Sequence, residues 1–306
     1  MADVLEEGGM KRHAYLIAAH DNYSCVRAAI KIIDDPRNDI FIHIDADSDN
    51  FDGSEFLSIP IFSNLYFIER ISVRWGHHSQ IKVTLNLLDA AIMKGDYEYY
   101  HFLQGADLPI KNQDAIHAFF QNNCGVEFVE IKDHARNFAD YKANYFHIFT
   151  ALKNYRRSRF LRYANHAFAK LQKFFRLKRS DDFHYLGSAL FSITDATAKM
   201  LVRARSYIFN KYWLTLACDE VFLQTEIKRI QSEKNIVVDN ENRNLRFIDW
   251  RNGIGNSPKT FKIEDYDFLM GLSDDYMFAR KFDEKVDINI IIKIGESLSG
   301  NRVQQS

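Results

Sequence analysis

The chain predicts an α/β fold on a mostly parallel central sheet, and three observations carry this. Short apolar runs alternate along the first hundred residues with stretches of helical period. The run Tyr97 to Lys111, YEYYHFLQGADLPIK, reads as a buried central strand that Gly105, Asp107 and Pro109 bring to a halt. Among 306 residues, 46% are hydrophobic and 26% charged, with 25 Phe and 15 Tyr beside only 4 Pro and 13 Gly, which suits a large aromatic core with ordered connections.

Taken in order, Ala14 to Ala19 is a first strand ended by His20 and Asp21, and a helix follows from about Tyr23 to Ile33. Asp34, Asp35 and Pro36 break that helix before a second strand, Ile40 to Ile44, which ends in Asp45, Ala46 and Asp47. Leu65 to Ile68 gives a third strand. Ser79 is placed to cap a helix whose Ile81, Leu85, Leu88, Ala91 and Ile92 recur at helical spacing up to Gly95. Leu186 to Thr194 reads as a strand and Asp195 opens a helix. Cys218 to Ile227 reads as a helix with Asp219 and Glu220 in its first turn, where carboxylates can simply complement the dipole. Phe247 to Trp250 is a strand, the turn Arg251 to Pro258 follows, and no repeat or low-complexity segment occurs.

In an open α/β sheet, ligands bind at the carboxyl ends of the strands, so Asp107 emerges where a ligand lies; an ordinary turn former is the alternative. A formal net charge of −1 argues against a general nucleic-acid binder. Cys25, Cys124 and Cys218 are isolated thiols without CxxC spacing, which points to neither disulfides nor zinc and suits a reducing compartment. There is no run of eighteen apolar residues and no signal-peptide pattern, so a cytoplasmic protein is expected, with Met1 to Gly9 as a flexible leader. Between Lys153 and Arg179 lie ten Lys or Arg and no acid, while Leu152, Tyr155, Phe160, Tyr163, Ala167, Leu171 and Phe174 recur near a period of 3.6. That is a basic amphipathic helix or helix pair, either lying on an anionic membrane or showing a solvated face while its stripe packs on the core.

Eight motifs, in order, resemble the core 2/I-branching β1,6-N-acetylglucosaminyltransferase and xylosyltransferase family. They are AYLIAAH (Ala14 to His20), IHID (Ile42 to Asp45), VRWGHHS (Val73 to Ser79), YHFLQGADLPI (Tyr100 to Ile110), LGSALFSIT, DEVFLQTEI from Asp219, LRFIDW (Leu245 to Trp250) and FARKFD (Phe278 to Asp283). The resemblance implies a GT-A-type nucleotide-sugar-binding fold in one domain over 10–306, with a nucleotide-binding half to about 130 and an acceptor half beyond. It implies inverting transfer of a sugar, UDP-GlcNAc by default and UDP-xylose or UDP-galactose otherwise, to a glycan hydroxyl. Carried over by position, Ala18, Ala19, His20, Asp45, Arg74, Trp75, Gly105 and Asp107 surround the donor. Glu220 falls at the catalytic base, and Asp219 and Trp250 fall on the acceptor side. Arg280 and Lys281 match cations that hold the diphosphate, and a second cation between Arg251 and Lys259 is Lys259 or Arg251.

Inverting transfer needs one carboxylate to take the acceptor proton, and partial burial can bring a Glu toward neutral pKa. Fixed positive charge must face the departing diphosphate. A lone Asp107 is a poor anchor for a hard cation, and Asp45 with Asp47, followed by Asp49 and Asp52, reads as a solvated turn, so no metal is expected. Family members with a membrane anchor and disulfides differ from this chain. It is expected to be a bacterial-type relative at the inner face of the membrane, acting on a lipid-linked oligosaccharide.

Overall fold

The computed structural model describes residues 12–49, 51–231, 236–255 and 257–299, and the expected leader Met1–Gly9 lies outside them. The chain runs β1 (His13–Ala19), α1 (Tyr23–Ile33), β2 (Asn38–Ile44), α2 (Ser54–Leu57), β3 (Asn64–Phe67), α3 (Ser79–Lys94), β4 (Tyr99–Gln104), β5 (Asp107–Pro109), α4 (Gln113–Asn122) and β6 (Val126–Lys132). It continues α5 (Arg136–Ala143), α6 (Arg159–Phe174), β7 (Leu186–Thr194), α7 (Asp195–Arg203), α8 (Arg205–Lys211), α9 (Phe222–Gln231), β8 (Val237–Val238), β9 (Arg246–Ile248), α10 (Tyr266–Met270), β10 (Phe278–Arg280) and α11 (Ile288–Ser299).

Seven strands form one sheet in the order β3-β2-β1-β4-β7-β6-β8. β3, β2, β1 and β4 are mutually parallel, whereas β7 runs antiparallel to both β4 and β6. The α/β class expected from the alternation of runs and helices is therefore the observed one, mostly parallel with one reversed strand. Burial on both faces explains why β1 and β2 read as continuous apolar runs. On one face, Leu87 and Leu88 of α3, Leu201 of α7 and Leu223 of α9 join Leu16, Phe102 and Phe191. On the other, Val26 and Ile30 of α1 and Ile116 and Phe120 of α4 cover Tyr15, Tyr99 and Leu103. A second sheet, β5-β10-β9, packs with α1 and α11 through Leu108, Ala279, Cys25, Ile290 and Ile294.

Two local expectations are corrected. Ser79 is the first residue of α3, not its cap, and its Oγ instead accepts the Arg74 N–H at 2.9 Å. The helix expected over Cys218 to Ile227 is broken: Cys218–Glu220 is a 3₁₀ turn and α9 begins at Phe222. The interruption falls at Val221, whose φ −128 and ψ −41 lie off the helical region, while Ala217, just ahead of the 3₁₀ turn, is left-handed at φ 46 and ψ 47. Such a conformation costs on the order of 1–2 kcal/mol and persists only where neighbours hold it.

The core also holds neutral histidines. His101 bonds through one ring nitrogen to Ser192 Oγ (2.9 Å) and through the other to His13 Nδ1 (3.1 Å), and burial holds its pKa well below the usual 6.5. His147, fully buried and bonded to Asn165, is lowered to about 4. Both are neutral in the native state at neutral pH, whereas in the unfolded chain they take up protons near 6.5. The unfolded state therefore binds more protons below that value. Stability is expected to be insensitive to these groups above pH 6.5 and to fall as pH drops from 6.5 toward 4, by on the order of 3 kcal/mol for His147 alone. Urea unfolding at stepped pH checks this; a midpoint unchanged between pH 7 and 5 would contradict it.

Candidate active site

Parallel strands deliver their carboxyl ends to one edge, and there the backbone is stitched crosswise. Asp45 N–H donates to the Ala19 carbonyl (2.9 Å) and Gly105 N–H to the Ala18 carbonyl (3.0 Å), so the exits of β1, β2 and β4 lie side by side. Gly105 has to be a glycine: a Cβ there would sit 2.9 Å from the Cβ of Ala19. His20 lies exposed just beyond, its ring 3.3 Å from Asp21 and its carbonyl accepting Ser48 Oγ–H.

The next layer is the loop before α3. Asp45 Oδ1 accepts the N–H of Asp47 (3.0 Å) and of Val73 (3.2 Å), tying the β2 exit to that loop. Asp47 bonds Ser72 Oγ and Arg74, which together hold its carboxyl below the ordinary range. Trp75 is about half exposed, its ring stacked on Tyr155 at 6.2 Å with the Arg156 guanidinium 5.8 Å from its centroid.

Gly76, at φ +76, then couples this loop to the acidic turn. Its carbonyl accepts Ala217 N–H (2.7 Å), fixing the left-handed alanine. Its N–H donates to Gln80 Oε1 (2.6 Å), and Gln80 Nε2 donates to Asp219 Oδ2 (3.0 Å). A pair separated by 139 positions thus fastens VRWG to DE. Burial, then the neighbouring Glu220 charge, pushes the Asp219 carboxyl up to about 7, and its Oδ1 is buried without a hydrogen-bond partner. Glu220 is 45% exposed at its side chain and ion-pairs through Oε2 with Lys142 of α5. The α5 end is itself docked there, since the Lys142 carbonyl accepts Leu216 N–H at 3.0 Å.

The third component is the small sheet, whose register sets Asp107 opposite Arg280 and Arg280 beside Ile248. Asp107 is buried, accepts Gln104 N–H (2.7 Å) and lies 3.1 Å from the Arg280 guanidinium. Burial raises its pKa, and Arg280 and the Gln104 amide offset part of that rise. Arg280 is thus engaged by a carboxylate. Lys281, one residue on, has no carboxylate within ion-pairing distance among the described residues. Trp250 and Arg251 leave the neighbouring β9 at the same end and are exposed, with Arg251 free of any side-chain ion pair among the described residues. Lys259 is held by Asp265 at 2.6 Å. Among the described residues, no cluster of three or more His, Cys, Asp or Glu is placed to hold a metal ion.

Three residues that motif reading passed over complete the site. Asn22, left-handed at φ 61, donates to the carbonyls of Gly105 (2.8 Å) and Phe282 (3.0 Å) and accepts Glu284 N–H (2.9 Å), stapling the β1 and β4 exits to the segment after Lys281. Arg246 is buried and donates to Ser192 Oγ and to the carbonyls of Phe102 and Phe191, fixing the β4 exit from beneath; burial lowers its pKa to about 9. Lys142 lies in a stretch with no recognisable motif. An Asn before a helix and an Arg inside an otherwise apolar strand are signals a sequence offers for the first two.

The model of the Core-2/I-Branching enzyme family matches residues 13–268. Among solved structures, the chain is similar to the apo form of mouse xyloside xylosyltransferase 1, at 8% sequence identity and a TM-score of 0.37, with 89% of this chain and 97% of that one covered. No curated protein was matched.

Proposed function

The chain belongs to the Core-2/I-Branching enzyme family, and from that premise we propose that this glycosyltransferase transfers a sugar with inversion from a UDP-sugar, GlcNAc foremost, to a hydroxyl of a lipid-linked oligosaccharide. The observation that carries the reading is the fastening of the Asp219–Glu220 turn, through Gly76 and Gln80, to the loop at the carboxyl edge of the sheet. One half-exposed carboxylate is thereby held beside the edge where the nucleotide is expected.

In this reading the donor lies over Ala18, Ala19, His20, Asp45 and Gly105, flanked by Arg74 and Trp75. Glu220 takes the proton of the acceptor hydroxyl as its oxygen bonds to the anomeric carbon from the face opposite UDP. The bond from that carbon to the diphosphate oxygen breaks, and UDP leaves with the electron pair. Lys281 and Arg251, cations at the end of the small sheet without an acid partner among the described residues, face the growing negative charge; Asp107 fixes Arg280 beside them. Lys142 keeps Glu220 oriented until the acceptor hydroxyl replaces it. Asp219, neutral part of the time near pH 7, and Trp250 line the acceptor side.

We take the reaction to be independent of a metal, because acids at the carboxyl edge of the sheet are already engaged: Asp107 by Arg280, Asp47 by Arg74 and Ser72. The enzyme works peripherally at the inner face of the membrane, drawn there by the basic segment 153–179. A panel of UDP-sugars, assayed for UDP release with and without EDTA, tests this. Release from one donor, unchanged by EDTA, is expected. Activity lost on chelation and restored by manganese would redirect attention to Asp107 or to Asp45 and Asp47, and UDP binding without any release would make the chain a non-catalytic sugar-nucleotide binder.

A further inference from the structure

α6 is oriented the wrong way round for a helix that only packs on a core. Its apolar stripe faces out: Phe160 is 75% exposed, Tyr163 73%, Leu171 53% and Phe174 79%, with Ala167 between them. At helical spacing these positions fall within about 80° of one another, and Arg159, Arg162, Lys170 and Lys173 occupy an adjoining sector of similar width. The inward side is fastened by polar groups. Asn165 bonds the His147 ring at 2.8 Å, and Gln172 accepts the Phe146 N–H and donates to its carbonyl, both at 2.9 Å. The helix cannot roll its aromatic stripe inward without breaking these three hydrogen bonds, one buried and two partly buried.

We propose that α6 is an interfacial anchor: Phe160, Tyr163, Leu171 and Phe174 insert into an anionic lipid leaflet while Arg159, Arg162, Lys170 and Lys173 engage its phosphates. This rests on the peripheral membrane location proposed above and goes beyond it, since electrostatic attraction alone needs no insertion. Charge complementarity selects the occupant. The segment from Lys153 to Arg179 has ten cations and no acid, so a second copy docked on the same face would set cation against cation. The anchor is continuous with the site, because Lys153 lies 3.6 Å from Asp47 and Tyr155 and Arg156 contact Trp75. A lipid-linked acceptor therefore arrives along the surface that holds the enzyme.

Co-sedimentation with phosphatidylcholine vesicles, with and without phosphatidylglycerol, at low and high salt, tests this on the full chain. The parent protein is expected to bind the anionic vesicles and to keep a bound fraction at high salt, because insertion is not screened. The double substitution Phe160→Ser/Phe174→Ser is expected to weaken the salt-resistant binding roughly tenfold or more. UDP release in solution should be unchanged, since both side chains stand in water. Serine-variant binding equal to the parent's overturns insertion. Parent binding abolished by salt overturns insertion but leaves the electrostatic location standing, whereas no parent binding to either vesicle removes both. A parent dimer that the serine variant converts to monomer in sedimentation velocity would make a second copy the occupant and overturn the lipid assignment.

Discussion

Glu220→Gln lowers sugar transfer by about a hundredfold to ten-thousandfold, the range a general base supplies, and leaves UDP affinity within a few fold. The amide keeps the shape of the side chain but cannot take the acceptor proton. The fold should tolerate the change, because Glu220 is 45% exposed and its ion pair with Lys142 is worth no more than about 1 kcal/mol at such a site. Steady-state kinetics beside a thermal melt checks both halves. A variant that turns over at more than a tenth of the parent rate would take Glu220 out of the role, and the adjacent Asp219, its Oδ1 buried and its carboxyl pushed up to about 7, would be the next residue to substitute.

Arg280→Met has the largest expected effect on stability. It leaves the Asp107 carboxylate, fully buried at the start of β5, without its counter-ion, and breaking a buried pair from one side costs about 3–5 kcal/mol. Adding Asp107→Asn to the same chain should recover most of that loss, since the uncompensated charge goes with it. Lys281→Met, by contrast, removes a cation with no acid partner among the described residues, so it should cost donor affinity and rate while leaving the unfolding midpoint in place. Urea unfolding of the three variants separates these outcomes. An Arg280→Met protein as stable as the parent would show that Asp107 is neutral and needs no partner.

The exits of β1, β2 and β4 are legible because Asp21, Asp45 and Gly105, of types depleted in strands, follow them. The alternation of period also located α1 and α3 to within a residue or two. The reversed strand β7 was not legible, since an apolar run carries no direction. Periodicity likewise found the aromatic stripe of α6 but not the side it faces. The clue was the polar pair Asn165 and Gln172 on the opposite side, whose partners, His147 and Phe146, are set by tertiary structure. The helix expected over Cys218 to Ile227 is interrupted at Val221, at φ −128 and ψ −41, and nothing in the run CDEVFLQTEI marks that residue as a break. Lys142 escaped notice because its importance lies in a partner 78 positions away. Arg280 and Lys281, adjacent and alike in sequence, are separated only by the register that puts Asp107 opposite the first of them.

The claim that Glu220 serves a single displacement on a UDP-sugar is tested most directly by the configuration of the first product, read by proton NMR during turnover of an α-linked UDP-sugar. A β-linked sugar should appear first, because the acceptor oxygen attacks from the face opposite UDP. An α-linked first product would mean retention, and would contradict both the inverting reaction and the assignment of Glu220 as its base.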